Sequence, residues 1–121
     1  MAKILLAEDD LFLQRMYTTK LTKEGIEVLA AADGEKALAL LAEQTVDLAL
    51  LDILMPKKDG FEVLEAMKAD PKLKNIPVIM LTNLGEEADI KRAKKLGAND
   101  YMIKAHFLPS EVIAVVKKYI K

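Results

Sequence analysis

Four short apolar runs in this chain each stop on a polar residue, with stretches of helical spacing between them. Ile4-Leu5-Leu6-Ala7 meets Glu8-Asp9, and Leu48-Ala49-Leu50-Leu51 meets Asp52. Val78-Ile79-Met80-Leu81 meets Thr82, and Tyr101-Met102-Ile103 meets Lys104. Continuous apolar runs of this length are what strands buried on both faces require. An open parallel sheet gathers the residues at the carboxyl ends of its strands along one edge, where ligands bind. The pattern therefore predicts that carboxylates, a hydroxyl and an ammonium meet in one site.

The intervening segments fit crossover helices. Asp10 is a natural N-cap for a helix over Leu11 to Glu24, and Gly25 suits its end. Ile26 to Ala30 reads as a strand, and a helix after Asp33-Gly34 carries Ala37, Leu38 and Leu41 on one face. Met55-Pro56-Lys57-Lys58-Asp59-Gly60 has the chemistry of a turn, before a helix from Phe61 to Ala69 that closes at Asp70-Pro71. Glu86, Glu87 and Asp89 open a further helix that Lys91, Arg92, Lys94 and Lys95 close before Gly97. The last helix has Pro109 in its first turn and runs to Lys121, with Val112, Val115, Val116, Tyr119 and Ile120 on one face. Five strands alternating with five helices imply right-handed crossovers and a sheet covered on both sides. Residues 1–121 are expected to form one domain, with no repeat and no linker.

Composition narrows the chemistry. The chain has no cysteine, which removes thiol catalysis, thiolate metal sites and disulfides, and suits a reducing cytosol. No apolar run approaches the ~20 residues needed to cross a bilayer. With a net charge of −1, no global field favours nucleic acid or an anionic membrane. Lys91-Arg92-Ala93-Lys94-Lys95 is basic, yet it complements a helix dipole and lacks aromatic stacking partners, so a protein contact on this face is favoured over nucleic-acid binding. His106, the single histidine, reads as a loop residue, and the six methionines mostly as core. A cytoplasmic protein that binds neither nucleic acid nor membrane is expected.

Glu8, Asp9 and Asp52 brought together repel, and a hard divalent cation such as Mg2+ relieves this through oxygen ligands. Lys104 adds positive charge, and the Thr82 hydroxyl can bond an anionic oxygen. This arrangement suits phosphoryl transfer to a carboxylate. The sequence has no Gly-rich phosphate loop, so a nucleotide is not the expected donor. Taken singly, each of these residues has an ordinary structural use, and Asp10 is best read as a cap. Their joint placement at strand ends carries the inference.

The matching segments are Ile4 to Asp10, Asp47 to Pro56, Asp59-Gly60, Thr82, Gly97-Ala98 and Tyr101 to Lys104. In this order and spacing the chain resembles the receiver domain of two-component response regulators over nearly its whole length. The resemblance implies a flavodoxin-like (βα)5 fold with strand order 2-1-3-4-5. It implies that Asp52 accepts a phosphoryl group from the phosphohistidine of a sensor histidine kinase. Asp9, Asp52 and the backbone carbonyl of Leu54 would hold Mg2+, with Glu8 acting through water. Thr82 and Lys104 would contact the phosphoryl oxygens, and Tyr101 would be the aromatic switch residue. A downstream protein target would dock on the face formed by the last two helices and the fifth strand. The chain would be a monomer or a phosphorylation-dependent dimer, and a switch rather than an enzyme.

The family usually has proline after the lysine, in a cis peptide; here Ala105 follows Lys104. A non-proline cis bond costs about 2.5–4 kcal/mol, so a trans bond and a reshaped loop through His106 and Phe107 are expected. Leu54 and Leu84, each two residues past a site residue, occupy positions thought to tune dephosphorylation in the family. Being apolar, neither can orient a water, which predicts a long-lived phosphoryl group. Three rivals remain in view. A Mg2+-dependent aspartyl phosphatase would usually carry a second Asp at Leu54, and the first loop of a flavodoxin would not present Glu8-Asp9-Asp10 to a phosphate. A receiver-like module acting without phosphorylation is disfavoured by the intact site residues.

Overall fold

The computed structural model describes residues 1–120. The expected end of the last helix, at Lys121, lies outside the described residues. Strands β1 (Lys3–Ala7), β2 (Glu27–Ala31), β3 (Leu48–Leu51), β4 (Val78–Thr82) and β5 (Asp100–Ile103) form one sheet in the order β2-β1-β3-β4-β5. Every neighbouring pair is parallel. Helices α1 (Leu11–Lys23), α2 (Gly34–Glu43), α3 (Gly60–Ala69), α4 (Glu87–Leu96) and α5 (Pro109–Ile120) connect or follow them. A 3-10 turn over Lys104–His106 intervenes between β5 and α5.

Alternate residues of each strand face opposite sides, so the sheet carries two cores. Leu5, Ala7, Ala49, Leu51, Val78 and Met80 pack with residues of α2, α3 and α4. Ile4, Leu6, Leu48, Leu50, Ile79, Leu81 and Met102 pack with Tyr17 and Leu21 of α1 and Val112 and Val116 of α5. The central strands β3 and β4 are buried throughout, as their unbroken apolar runs require.

Helix starts follow the cap chemistry. Asp10 accepts from the amides of Phe12 and Leu13, and Asp33 from that of Lys36. Asp59 and Glu62 form a reciprocal capping box, which places the start of α3 at Gly60, one residue before the expected Phe61. Gly25 (φ 80°) and Gly97 (φ 104°) end α1 and α4 in the left-handed region. The second strand is displaced by one residue, Glu27–Ala31 instead of Ile26–Ala30, because Glu27 pairs with Lys3. The chain also places Lys57 at φ 70°, within the loop after β3.

Candidate functional site

Glu8 directly follows β1, Asp52 directly follows β3 and Lys104 directly follows β5. Thr82 is the last residue of β4 rather than the first beyond it, and pairs with Ile103. The sheet order puts β1, β3, β4 and β5 side by side, so these residues meet at its carboxyl edge. They border an open depression of about 300 Å³ together with Asp9, Leu54 and Asn83. One ligand oxygen from each of Glu8, Asp9 and Asp52 lies within 4.8 Å of the others. Every residue assigned to the site from sequence reaches it except Tyr101, which stands beside it.

Asp52 is 7% exposed. Its amide donates to the Ala7 carbonyl at 2.9 Å, its Oδ1 accepts from the Ile53 amide at 2.7 Å, and its Oδ2 accepts from Lys104 Nζ at 2.8 Å. Gly60 lets the start of α3 press against this bend, because a Cβ there would lie 2.7 Å from Ile53 Cα. Glu8 is 2% exposed. Its Oε1 accepts from Lys104 Nζ in a short contact, and its Oε2 from the Asp10 amide at 3.1 Å. Thr82 is fully buried, and its hydroxyl oxygen accepts from the Leu84 amide at 3.3 Å. Asp9 is exposed, and its carboxylate has no hydrogen bond among the described residues.

The charges are unevenly compensated. Burial pushes the Glu8 carboxyl above its ordinary range, against the opposing pull of Lys104 and the Asp10 amide, and the nearby Asp52 pushes it the same way. Burial alone would lower Lys104, but its hydrogen bonds to Asp52 and Glu8 outweigh that and leave it raised. The partners thus differ: the ammonium gains from two carboxylates, whereas Glu8 has one ammonium and a like-charged neighbour. The trio suits a hard cation. It offers only carboxylate oxygens, one of its members has no other partner, and it holds more negative charge than Lys104 neutralises.

Beside the site, Tyr101 OH donates to the Leu84 carbonyl at 2.5 Å, and burial raises its phenol to about 12. No peptide bond among the described residues is cis, and Lys104 runs through a trans bond into the 3-10 turn. Two residues of the site surround were not singled out from the sequence. Gln14 Nε2 donates to the Glu8 carbonyl at 2.9 Å, and Asn83 Oδ1 accepts from the Ala105 amide at 3.1 Å. Gln14 could have been suspected from its place one turn into α1. Asn83 could have been suspected only from its adjacency to Thr82. A larger groove, lined in part by Ile90, Tyr101 and Phe107, lies along α4 and β5 and contains no comparable carboxylate cluster.

A doubly wound sheet with a carboxylate trio and an ammonium at its carboxyl edge is an arrangement suited to phosphoryl transfer to a carboxylate. The response regulator receiver domain profile matches residues 4–117. The chain is 43% identical over 121 residues to the transcriptional regulatory protein CpxR of Klebsiella pneumoniae, covering all of this chain and 50% of that protein. It is 40% identical over 119 residues to the probable transcriptional regulator ycf27 of Cyanophora paradoxa, covering 98% of this chain and 48% of that protein. It spans about half the length of these curated relatives. Among solved structures, the chemotaxis protein CheY4 of Vibrio cholerae superposes with a TM-score of 0.91 at 30% identity, covering 98% of each chain. The phosphorylated cyanobacterial phytochrome response regulator RcpA gives 0.83 at 36% identity, covering 97% of this chain and 89% of that one.

The chain belongs to the response regulator receiver family, whose general function is to accept a phosphoryl group. Receiver domains are phospho-switches that act with a histidine kinase and a downstream effector, and generally bind Mg2+ at an acidic pocket. Among the described residues, no helix is long and apolar enough to cross a membrane.

Proposed function

We propose that Asp52 is the phosphoacceptor and that a sensor histidine kinase is the donor. The observation that carries this reading is the 2.8 Å contact between Asp52 Oδ2 and Lys104 Nζ, inside a trio of carboxylates at the sheet edge. An Asp52 carboxylate oxygen attacks the phosphorus, the P–N bond to the donor imidazole breaks, and its electron pair stays on that ring. Lys104 is placed to hold charge on the transferring oxygens, and the Thr82 hydroxyl to donate to one of them. Asp9, Asp52 and the Leu54 carbonyl would hold Mg2+, with Glu8 reaching it through water. When bound, the ion neutralises charge that develops on the phosphoryl oxygens. Lys104, which here bridges Glu8 and Asp52, would then be available to the transferring oxygens.

The product is a conformational state, not a released metabolite. The two-state element is the Thr82–Tyr101 region, and the output face is that of α4, β5 and α5, where the larger groove lies. The target is a protein rather than nucleic acid or a membrane, and the protein acts in the cytoplasm as a monomer or a phosphorylation-dependent dimer. Incubation with Mg2+ and acetyl phosphate or beryllofluoride should give an adduct in the native chain and none in Asp52→Ala. A native chain that gains no adduct and shows no Asp52-dependent spectral change rules the reading out.

A further inference from the structure

We propose that Asn83 is a positioning residue for the phosphoryl site, tying the loop that starts at Lys104 to the end of the strand that carries Thr82. The proposal rests on the reading of Thr82 and Lys104 as the groups that meet the phosphoryl oxygens.

The 3-10 turn over Lys104–His106 leaves its first amides without partners inside the turn, as any helix start does. Within the turn, the Lys104 carbonyl is taken by the Phe107 amide at 3.3 Å. The Ala105 amide points outward, and Asn83 Oδ1 lies 3.1 Å from it. Asn83 directly follows Thr82, and Ala105 directly follows Lys104. One hydrogen bond therefore joins the residues next to both groups, across the β4–β5 boundary.

Proline has no amide hydrogen, so a chain with proline at 105 could not make this contact. Asn83 and Ala105 work as a pair. The side-chain oxygen supplies, by a hydrogen bond, the restraint that a proline ring would impose on the loop by its covalent geometry. No other contact among the described side-chain hydrogen bonds reaches the 105–107 segment, and Ala105, His106 and Phe107 are exposed. Without Asn83, the backbone that carries Lys104 would be held on its far side only by β5. Because Asn83 and Ala105 are both exposed, their contact contributes little to global stability. Its effect falls on where the Lys104 ammonium rests when the bridge to Glu8 and Asp52 opens.

The test is a double-substitution cycle with Mg2+ and acetyl phosphate. Asn83→Ala should slow adduct formation by about three- to tenfold, the effect of one neutral hydrogen bond. It should leave the melting temperature unchanged and move the Ala105 amide proton upfield in a 15N-labelled spectrum. In an Ala105→Pro background, Asn83→Ala should have no further effect on the rate. An equal slowing in both backgrounds, an unmoved Ala105 amide, or an unchanged rate in a chain that takes the phosphoryl group overturns the proposal. If the unsubstituted chain takes none, the phosphoacceptor reading fails instead, and the Ala105 amide still decides whether the contact exists.

Discussion

On the β1–β3 half of the sheet edge, the strand ladder positions the chemistry: the Glu8 amide donates to Ala31 and the Asp52 amide to Ala7, both at 2.9 Å, and the Gln14 side chain adds one bond to the Glu8 carbonyl. Each carboxylate is one residue past a strand paired on both sides. The β4–β5 half is built differently. β5 is an edge strand, Lys104 leads straight into a 3-10 turn, and side chains fasten the segment: Asn83 on Ala105 and Tyr101 on Leu84. The acidic half is set by the ladder, the basic half by side-chain contacts and by the attraction between Lys104 and the acids. The difference predicts that substitutions on the two halves will fail in different ways.

Removing the ammonium should have the largest effect. Lys104→Met leaves Glu8 and Asp52 buried without a counter-charge, at a cost of about 3–5 kcal/mol in stability. Chemical denaturation in chelator should show this loss, and added Mg2+ should recover part of it. Equal stability with and without Lys104 would mean that the ladder alone tolerates the acids. Glu8→Gln tests the other half, with the opposite sign. The Glu8 pKa is raised in the folded state, so its favourable contribution is complete below about pH 4.5, its ordinary value, and is lost as pH rises through the folded value. The neutral amide of the variant mimics the protonated carboxyl. The variant should therefore be more stable than the native chain at pH 7, with the gain vanishing as pH falls below about 4.5. A variant no more stable at pH 7 than the native chain would break this assignment.

The same contrast explains what the sequence made legible. The apolar runs of β1, β3 and β4 revealed strands and a shared edge, because strands buried on both faces need such runs, whereas their order came from the family resemblance. Glu8 and Asp52 followed from those runs, since a residue at the end of a buried strand is positioned by the strand, and Lys104 followed from the shorter run of β5. Gln14 and Asn83 did not follow, because their roles depend on which backbone group a polar side chain reaches across a loop. Periodicity carries no trace of that. The one-residue shift of β2 has a similar origin: its burial is partial, so the apolar pattern of Ile26 to Ala30 competes with pairing to β1, and pairing decides. Ala105 was legible as a departure, but not the partner that its amide would find.

Leu54 and Leu84 give one probe on each half of the edge. Leu54 is 62% exposed and borders the depression, whereas Leu84 packs against the core beside Tyr101. Asn at both positions should shorten the life of the phosphoryl group on Asp52 by about tenfold, by orienting an attacking water. Most of the effect should come from Leu54→Asn, because its side chain faces the depression. The check is loss of adduct after the donor is removed. An unchanged half-life would show that these side chains do not control access of water.

The smallest effect tests whether the fastening of the basic half is local. Tyr101→Phe removes the donation to the Leu84 carbonyl while keeping the ring in place, at a cost of about 1 kcal/mol in stability. The phenol has a folded value of about 12 against an ordinary 10.0, so the stability linked to its protonated form is present below pH 10 and lost as pH rises through 12. A difference titration of native chain against variant, read from phenolate absorbance, should show one step centred near 12. A step near 10 would place the ring in solvent, free of Leu84. The β4–β5 half would then be held by Asn83 and Lys104 without the tyrosine, and the switch role of Tyr101 would lose its structural basis.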